Sequence, residues 1–267
     1  MNNFANRTVL ITGASEGIGR ALALQLAAQG ARLALNARSA ARLEETVRDC
    51  AAQGAQVLAI PGDVAQRQDC QRLIEATLAR FGDLDVVVNN AGITMWSRFD
   101  AVQDFSVFER LLAVNYLGAM YVTAAALPHL KRSRGLIVAV ASVAGLTGVP
   151  ERTGYAASKH AMVGFFESLR IELLGSGVDV SIIAPDFVVS QIHRRAVGPD
   201  GKPLGQTPMQ EARIMTAEEC ARLTVRAMQR RQRLAILSPR GRLGRWARLV
   251  APHLTDRIAQ RAIRDRH

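Results

Sequence analysis

Tyr155 and Lys159 stand four residues apart in the segment Gly154-Tyr155-Ala156-Ala157-Ser158-Lys159, and Ser142 lies thirteen residues before the tyrosine. Positions i and i+4 of a helix share a face, so the Lys159 ammonium falls near the Tyr155 phenol and favours its ionised form. A free phenol titrates near about pH 10, and bringing it to about pH 7 takes about 4 kcal/mol of differential stabilisation. An ammonium neighbour together with a bound, positively charged nicotinamide would supply that, making Tyr155 a general acid or base. Near the N-terminus the chain also carries the glycine-rich turn Thr12-Gly13-Ala14-Ser15-Glu16-Gly17-Ile18-Gly19. A Tyr-x-x-x-Lys pair alone arises on many exposed helices. In this company it implies hydride chemistry on a nicotinamide cofactor.

The glycines sit where a first strand hands over to a first helix. There glycine allows a tight turn, lets the backbone approach a pyrophosphate and leaves the helix N-terminus free to hold negative charge. The spacing Gly-x-x-x-Gly-x-Gly is one residue wider than the commoner dinucleotide fingerprint. Gly13, Ser15, Gly17, Ile18 and Gly19 are therefore candidate cofactor contacts. The second strand ends Leu35-Asn36-Ala37-Arg38-Ser39. An acid there would bind the adenosine ribose hydroxyls and repel a 2′-phosphate, whereas Arg38 attracts the phosphate, so NADP(H) is expected over NAD(H). Asp63 and Val64 follow the third strand and are placed to contact the adenine, although an Asp in that position also serves as a helix cap.

The elements that must hold these residues follow from the hydrophobic pattern. Apolar runs near residues 8–12, 32–36, 56–60, 84–89, 135–141, 178–184 and 234–237 alternate with helical patterns. This predicts an α/β fold, a Rossmann-type doubly wound parallel sheet of about seven strands with helices on both faces. The stretch Leu111 to Pro128 is eighteen residues without a charge, long enough to raise the question of a membrane span. Asn115, Tyr116, Thr123 and the proline argue against one. A helix apolar all round must be covered all round, and the following helix, Tyr155 to Leu174, is also largely apolar. A homo-oligomer, dimer or tetramer, is the expectation.

With 267 residues and 49% hydrophobic content the chain can bury a large core, and residues 1–240 read as one domain. Only seven residues precede the first apolar run, so no targeting peptide is expected and the location is read as cytoplasmic. Cys50, Cys70 and Cys220 are odd in number, lack metal-ligand spacing and read as buried free thiols, and no metal site is expected. The net charge of +11 is concentrated at the C-terminus, where twelve arginines from Arg226 onward stand against Asp256 and Asp265. Such a segment suits an anionic membrane surface, nucleic acid, an oligomer contact or plain solvation.

In the order and spacing of its motifs the chain resembles the short-chain dehydrogenase/reductase family over residues 7 to 240. Thr12 to Gly19 is similar to that family's cofactor turn, Asn89-Asn90-Ala91-Gly92 to the segment after its fourth strand, and Asn115, Ser142, Tyr155 and Lys159 to its catalytic four. The resemblance implies that Tyr155 exchanges a proton with the substrate oxygen and Ser142 hydrogen-bonds that oxygen. Lys159 grips the nicotinamide ribose, and Asn115 interrupts its helix to hold a water linking Lys159 to solvent. Asn89, Ala91 and Gly92 pack the strand end against the cofactor. After the sixth strand the family usually has Pro-Gly; here Pro185 precedes Asp186, while the Val188 backbone and Ser190 keep the places that contact the carboxamide.

Residues 186–215 resemble the family's substrate lid, punctuated by Gly198, Pro199, Gly201, Pro203, Gly205 and Pro208. Phe187, Val189, Ile192, Val197, Leu204 and Met209 form an apolar wall, joined by His193, Arg194 and Arg195. An apolar or lipid-like carbonyl compound or secondary alcohol is the first expectation, an anionic or thioester-linked one the second. Residues 241–267 read as a basic amphipathic extension with Leu243, Trp246 and Val250 on one side, broken at Pro252 and resumed at Ile258, Ala262 and Ile263. That pattern fits peripheral membrane contact. A non-catalytic nucleotide sensor or scaffold on the same fold is the alternative, and nucleic-acid binding is not expected because no recognition pattern accompanies the arginines.

Overall fold

The structure is a computed structural model that describes residues 4–206 and 214–264. Strands β1 (Thr8–Thr12), β2 (Arg32–Ala37), β3 (Val57–Pro61), β4 (Val86–Asn89), β5 (Leu136–Val140), β6 (Asp179–Ala184) and β7 (Leu234–Ile236) form one sheet. Their order is β3-β2-β1-β4-β5-β6-β7 and every pairing is parallel. The strands are apolar nearly throughout because both faces are covered, and alternate residues feed opposite cores. Val9, Ile11, Leu33 and Leu35 pack with α1 (Gly17–Ala27), α2 (Ala40–Ala51) and α7 (Ala217–Gln229). Leu10, Ala34, Val87 and Ile137 pack with α3 (Arg67–Phe81), α5 (Gly118–Ser133) and α6 (Thr153–Glu172). Leu22 and Leu26 of α1 are fully buried, each worth about 1.5–3 kcal/mol of transfer free energy.

From β1 the chain winds outward through β2 and β3, then returns to β4 on the other side of β1. The strand order therefore reverses between β1 and β4, and a crevice opens at their C-terminal ends. The helix α4 (Ser106–Leu112) runs into α5 through a π-turn at Ala113–Leu117. The combined segment is long and apolar enough to cross a membrane by length and composition. Yet Val122, Ala126 and Leu130 are fully buried in the core shared with α3, and Asn115 is fully buried at the π-turn. The helix carrying the tyrosine starts at Thr153, two residues ahead of its expected start, which places Tyr155 in its first turn.

Beyond β7, α8 (Pro239–Val250) and α9 (Pro252–Arg264) pack on each other, with Pro252 opening the second helix. Leu243, Trp246, Leu249, Val250, Leu254 and Ile258 are all exposed. The side chains of Ala262 and Ile263 lie outside the described residues, as do Pro208 and Met209 of the lid. The described part of the lid is irregular and is tied down by bridges of Val188 to Met215 and of Val197 to Met95 and Pro203. Cys50, Cys70 and Cys220 are free and buried; burial pushes the first thiol up to about 11 and the other two to about 12.

Candidate active site

A cavity of about 740 Å³ follows the crevice at the C-terminal ends of the strands. Gly13, Ser15, Gly17 and Ile18 line it beside Ala37, Arg38, Asp63 and Val64. Gly13 has φ +66°, a left-handed conformation that favours glycine. Gly19 is buried beneath the turn: a Cβ there would lie 2.6 Å from Asn90 Nδ2 and collide with the Gly13 carbonyl oxygen. Asn90 donates from Nδ2 to Thr12 O at 2.9 Å and to Gly13 O at 3.2 Å, while the Thr12 hydroxyl accepts from the Asn90 and Ala91 amides. The loop after β4 thus fixes the glycine turn from below. Glu16, at the tip of the turn, pairs with Arg42 of α2 and Arg195 of the lid, a link that the sequence alone did not reveal.

Ser142, Tyr155 and Lys159 line the same cavity, with Ala91, Gly92, Pro185, Val188 and Ser190. Ser142 lies two residues past the end of β5 in extended backbone, its Oγ accepting from Ala144 N and lying 3.4 Å from Pro185 O. Lys159 is 3% exposed; Nζ donates to Val140 O at 2.9 Å and lies 6.0 Å from the Tyr155 ring centroid. Burial pulls its pKa down to about 8. Asn115 does not line the cavity. Its Oδ1 accepts from Ile93 N at 2.8 Å, and Nδ2 donates to Ile93 O and Ser158 Oγ, clamping the π-turn to the β4 loop and to α6. Asn89, expected beside the cofactor, points the other way and donates to Thr123 Oγ1 of α5; Asn90 and Ala91 face the cavity instead. The two faces of a strand alternate, so one residue of register separates these roles.

Arg152, three residues before Tyr155, is 5% exposed. Its guanidinium carbon lies 4.3 Å from the Tyr155 ring centroid, 5.3 Å from that of Trp96 and 5.5 Å from that of Phe187. Such stacking is worth about 2 kcal/mol when desolvated. Nη2 donates to Thr94 Oγ1 at 2.6 Å, Nε has no partner, and burial lowers the Arg152 pKa. His193 of the lid is buried alongside; desolvation, then the Arg152 charge, push its pKa down to about 4, with the hydrogen bond to Val188 O opposing. Trp96 Nε1 donates to Glu151 Oε2. Arg152 was not among the residues singled out in the sequence, where an arginine at a helix start reads as solvated; its i, i+3 spacing to Tyr155 was the available signal.

Residues 7–198 match the family model described as short chain dehydrogenase. The chain belongs to the short-chain dehydrogenase/reductase family. Among its relatives, 11-beta-hydroxysteroid dehydrogenase 1A of Arabidopsis thaliana is 38% identical over 238 residues, 86% of this chain and 68% of the relative. A short-chain dehydrogenase/reductase from Burkholderia phymatum in complex with NAD superposes with a TM-score of 0.85 at 28% identity, over 95% of this chain and 96% of that one. An alcohol dehydrogenase from the archaeon Thermococcus sibiricus, complexed with 5-hydroxy-NADP, does so with 0.73 at 31% identity, over 86% and 94%. This short-chain dehydrogenase/reductase is thus an oxidoreductase acting on CH–OH groups with a nicotinamide nucleotide, and the two structural neighbours differ in which nucleotide they carry.

The residues present fit that group. In this short-chain dehydrogenase/reductase the glycine turn packs through Gly13 and Gly19 against the loop after β4, which brings its backbone to the edge of the cavity, and the cavity runs from Arg38 to Tyr155. Asp186, in place of the usual glycine, accepts from the Phe187 amide through Oδ1 and from Ser238 Oγ through Oδ2. Ser238 caps α8, so the substituted residue fastens the lid's start to the C-terminal hairpin. Leu243, Ala247, Ile258 and Ala259 of that hairpin also line the cavity.

Proposed function

We propose that the protein interconverts a carbonyl and a secondary alcohol, using NADP(H) in preference to NAD(H), on an apolar or lipid-like substrate. The reading is carried by one observation: Ser142, Tyr155 and Lys159 share a cavity with Arg38, and the strand end beside Arg38 offers Ala37 and no acid. Bound NADP(H) supplies or accepts the hydride. Tyr155 gives its proton to the carbonyl oxygen in reduction and takes it back in oxidation. Ser142 exchanges its long contact with Pro185 O for a hydrogen bond to the substrate oxygen as charge develops there. Lys159 reaches the nicotinamide ribose from its seat against Val140 and keeps positive charge near the phenol. In a water relay from Lys159, Asn115 takes part as an acceptor, through its main chain or the second lone pair of Oδ1, because both donors of its amide are engaged by Ile93 O and Ser158 Oγ.

The substrate class follows from the apolar lining contributed by Ile93, Leu146, Val149, Ile192 and Leu243. The exposed Ile171 and Leu174 and the half-buried outer side of α5 support a homo-oligomer. The exposed apolar residues of α8 and α9, set among arginines, support peripheral contact of a cytoplasmic protein with an anionic membrane. Replacing Tyr155 with Phe is expected to lower NADPH-dependent carbonyl turnover about 100- to 10,000-fold with NADPH binding retained. Unchanged turnover would remove the tyrosine from the chemistry.

A further inference from the structure

We propose that Arg152 is an anion-binding element of the substrate site, and that the substrate carries a carboxylate on a carbon close to its reacting carbonyl. The inference rests on the carbonyl-reducing reading above and deepens it. Arg152 lines the cavity, yet none of the ion pairs in the described structure includes it. The one side-chain hydrogen bond found for it goes to the neutral Thr94 hydroxyl, and Nε is left without an acceptor. The ring faces of Tyr155, Trp96 and Phe187 attract the charge but offer no lone pair in the plane of the guanidinium. His193 stands beside it uncharged at neutral pH and brings no counter-charge.

A buried cation without a counter-ion is unfavourable until an opposite charge arrives, and the arginine fork matches a carboxylate in two parallel hydrogen bonds. The guanidinium touches the ring of Tyr155, so an anion held there lies near the carbonyl that Tyr155 protonates. Beyond this polar end the wall turns apolar, with Ile93, Leu146, Val149 and Leu243. Together these features describe an oxo-acid with an aliphatic body. If Arg152 served only to knit Trp96, Phe187 and α6 together, acids and their neutral esters would be treated alike.

The chain has two tryptophans, Trp96 against Arg152 and the exposed Trp246. In a Trp246→Phe background, Trp96 emission reports occupancy of this pocket. Titrating the NADP⁺-saturated protein with octanoate and with methyl octanoate is expected to show the acid bound at least roughly tenfold more tightly. Arg152→Gln should abolish that preference while keeping ester binding, and Arg152→Lys should restore part of it. In turnover, 2-oxo-octanoate should exceed its methyl ester in kcat/KM in the parent protein and lose that lead in Arg152→Gln. Equal affinity for acid and ester, or a preference that survives Arg152→Gln, overturns the proposal. Turnover of both compounds without preference overturns it while leaving carbonyl reduction standing. A protein that takes up neither NADP⁺ nor NADPH overturns the parent reading, and octanoate titrated without nucleotide then still decides whether Arg152 holds an anion.

Discussion

Lys159 is sealed from solvent against Val140 O and the Met162 sulfur, and the cost of burying its charge takes its pKa from 10.5 to about 8. Between those values the unfolded chain holds a proton that the free folded protein has released. Stability of the nucleotide-free protein is therefore expected to gain from this residue as pH rises from about 8 towards 10.5, and to lose that gain as pH falls back through 8. Urea melts of the parent and of Lys159→Met across this window should diverge in slope; parallel curves would mean that the ammonium is not desolvated. Gly19→Ala meets backbone rather than a movable side chain, so about 1–3 kcal/mol of stability should be lost, a fall in Tm of several degrees, with weakened nucleotide binding. Glycines and the Tyr-x-x-x-Lys pair were readable because their spacing alone dictates geometry. Arg152 was not, because its burial is created by Trp96 and Phe187, which arrive from segments far away in sequence.

The hairpin of α8 and α9 is attached to the sheet chiefly at its first turn, where Ser238 both caps α8 and donates to Asp186 at 3.1 Å. Asp186→Gly, which restores the usual family residue, is expected to leave Ser238 capping the helix but free it from the lid. Amide exchange across 239–250 should then speed up by about tenfold while α1 and α7 stay protected. No change in exchange would mean that Arg248 to Leu146 O and the apolar contacts hold the hairpin by themselves. The strands were read within two residues of their ends because each is a short apolar run covered on both faces. The first two residues of α6 were missed because Thr153 and Gly154 carry no apolar signal. The role of Asp186 needed the structure, since its partner Ser238 lies more than fifty residues away.

At the scale of the molecule, six of the eleven exposed large apolar side chains among the described residues lie on the arginine-rich hairpin that also lines the cavity. The protein is expected to float with vesicles containing phosphatidylserine, to stay behind with purely zwitterionic vesicles in high salt, and to lose flotation when Trp246 and Leu249 are both replaced by Glu. Flotation unaffected by those replacements would place the contact elsewhere. The doubly wound parallel sheet and the alternation of strands and helices followed from the hydrophobic pattern, whereas the place of the hairpin beside the cavity depends on packing between elements that no local pattern records. The central claim is that one cavity binds a phosphorylated nicotinamide nucleotide at Arg38 and delivers it to Tyr155. Its most direct test is a fluorescence titration of the protein with NADPH and with NADH, repeated on Arg38→Asp. The account predicts tighter binding of NADPH, a loss of about 10- to 100-fold for NADPH in the variant, and a shift of preference towards NADH. Binding that favours NADH in the parent protein, or an NADPH affinity indifferent to Arg38→Asp, would contradict it.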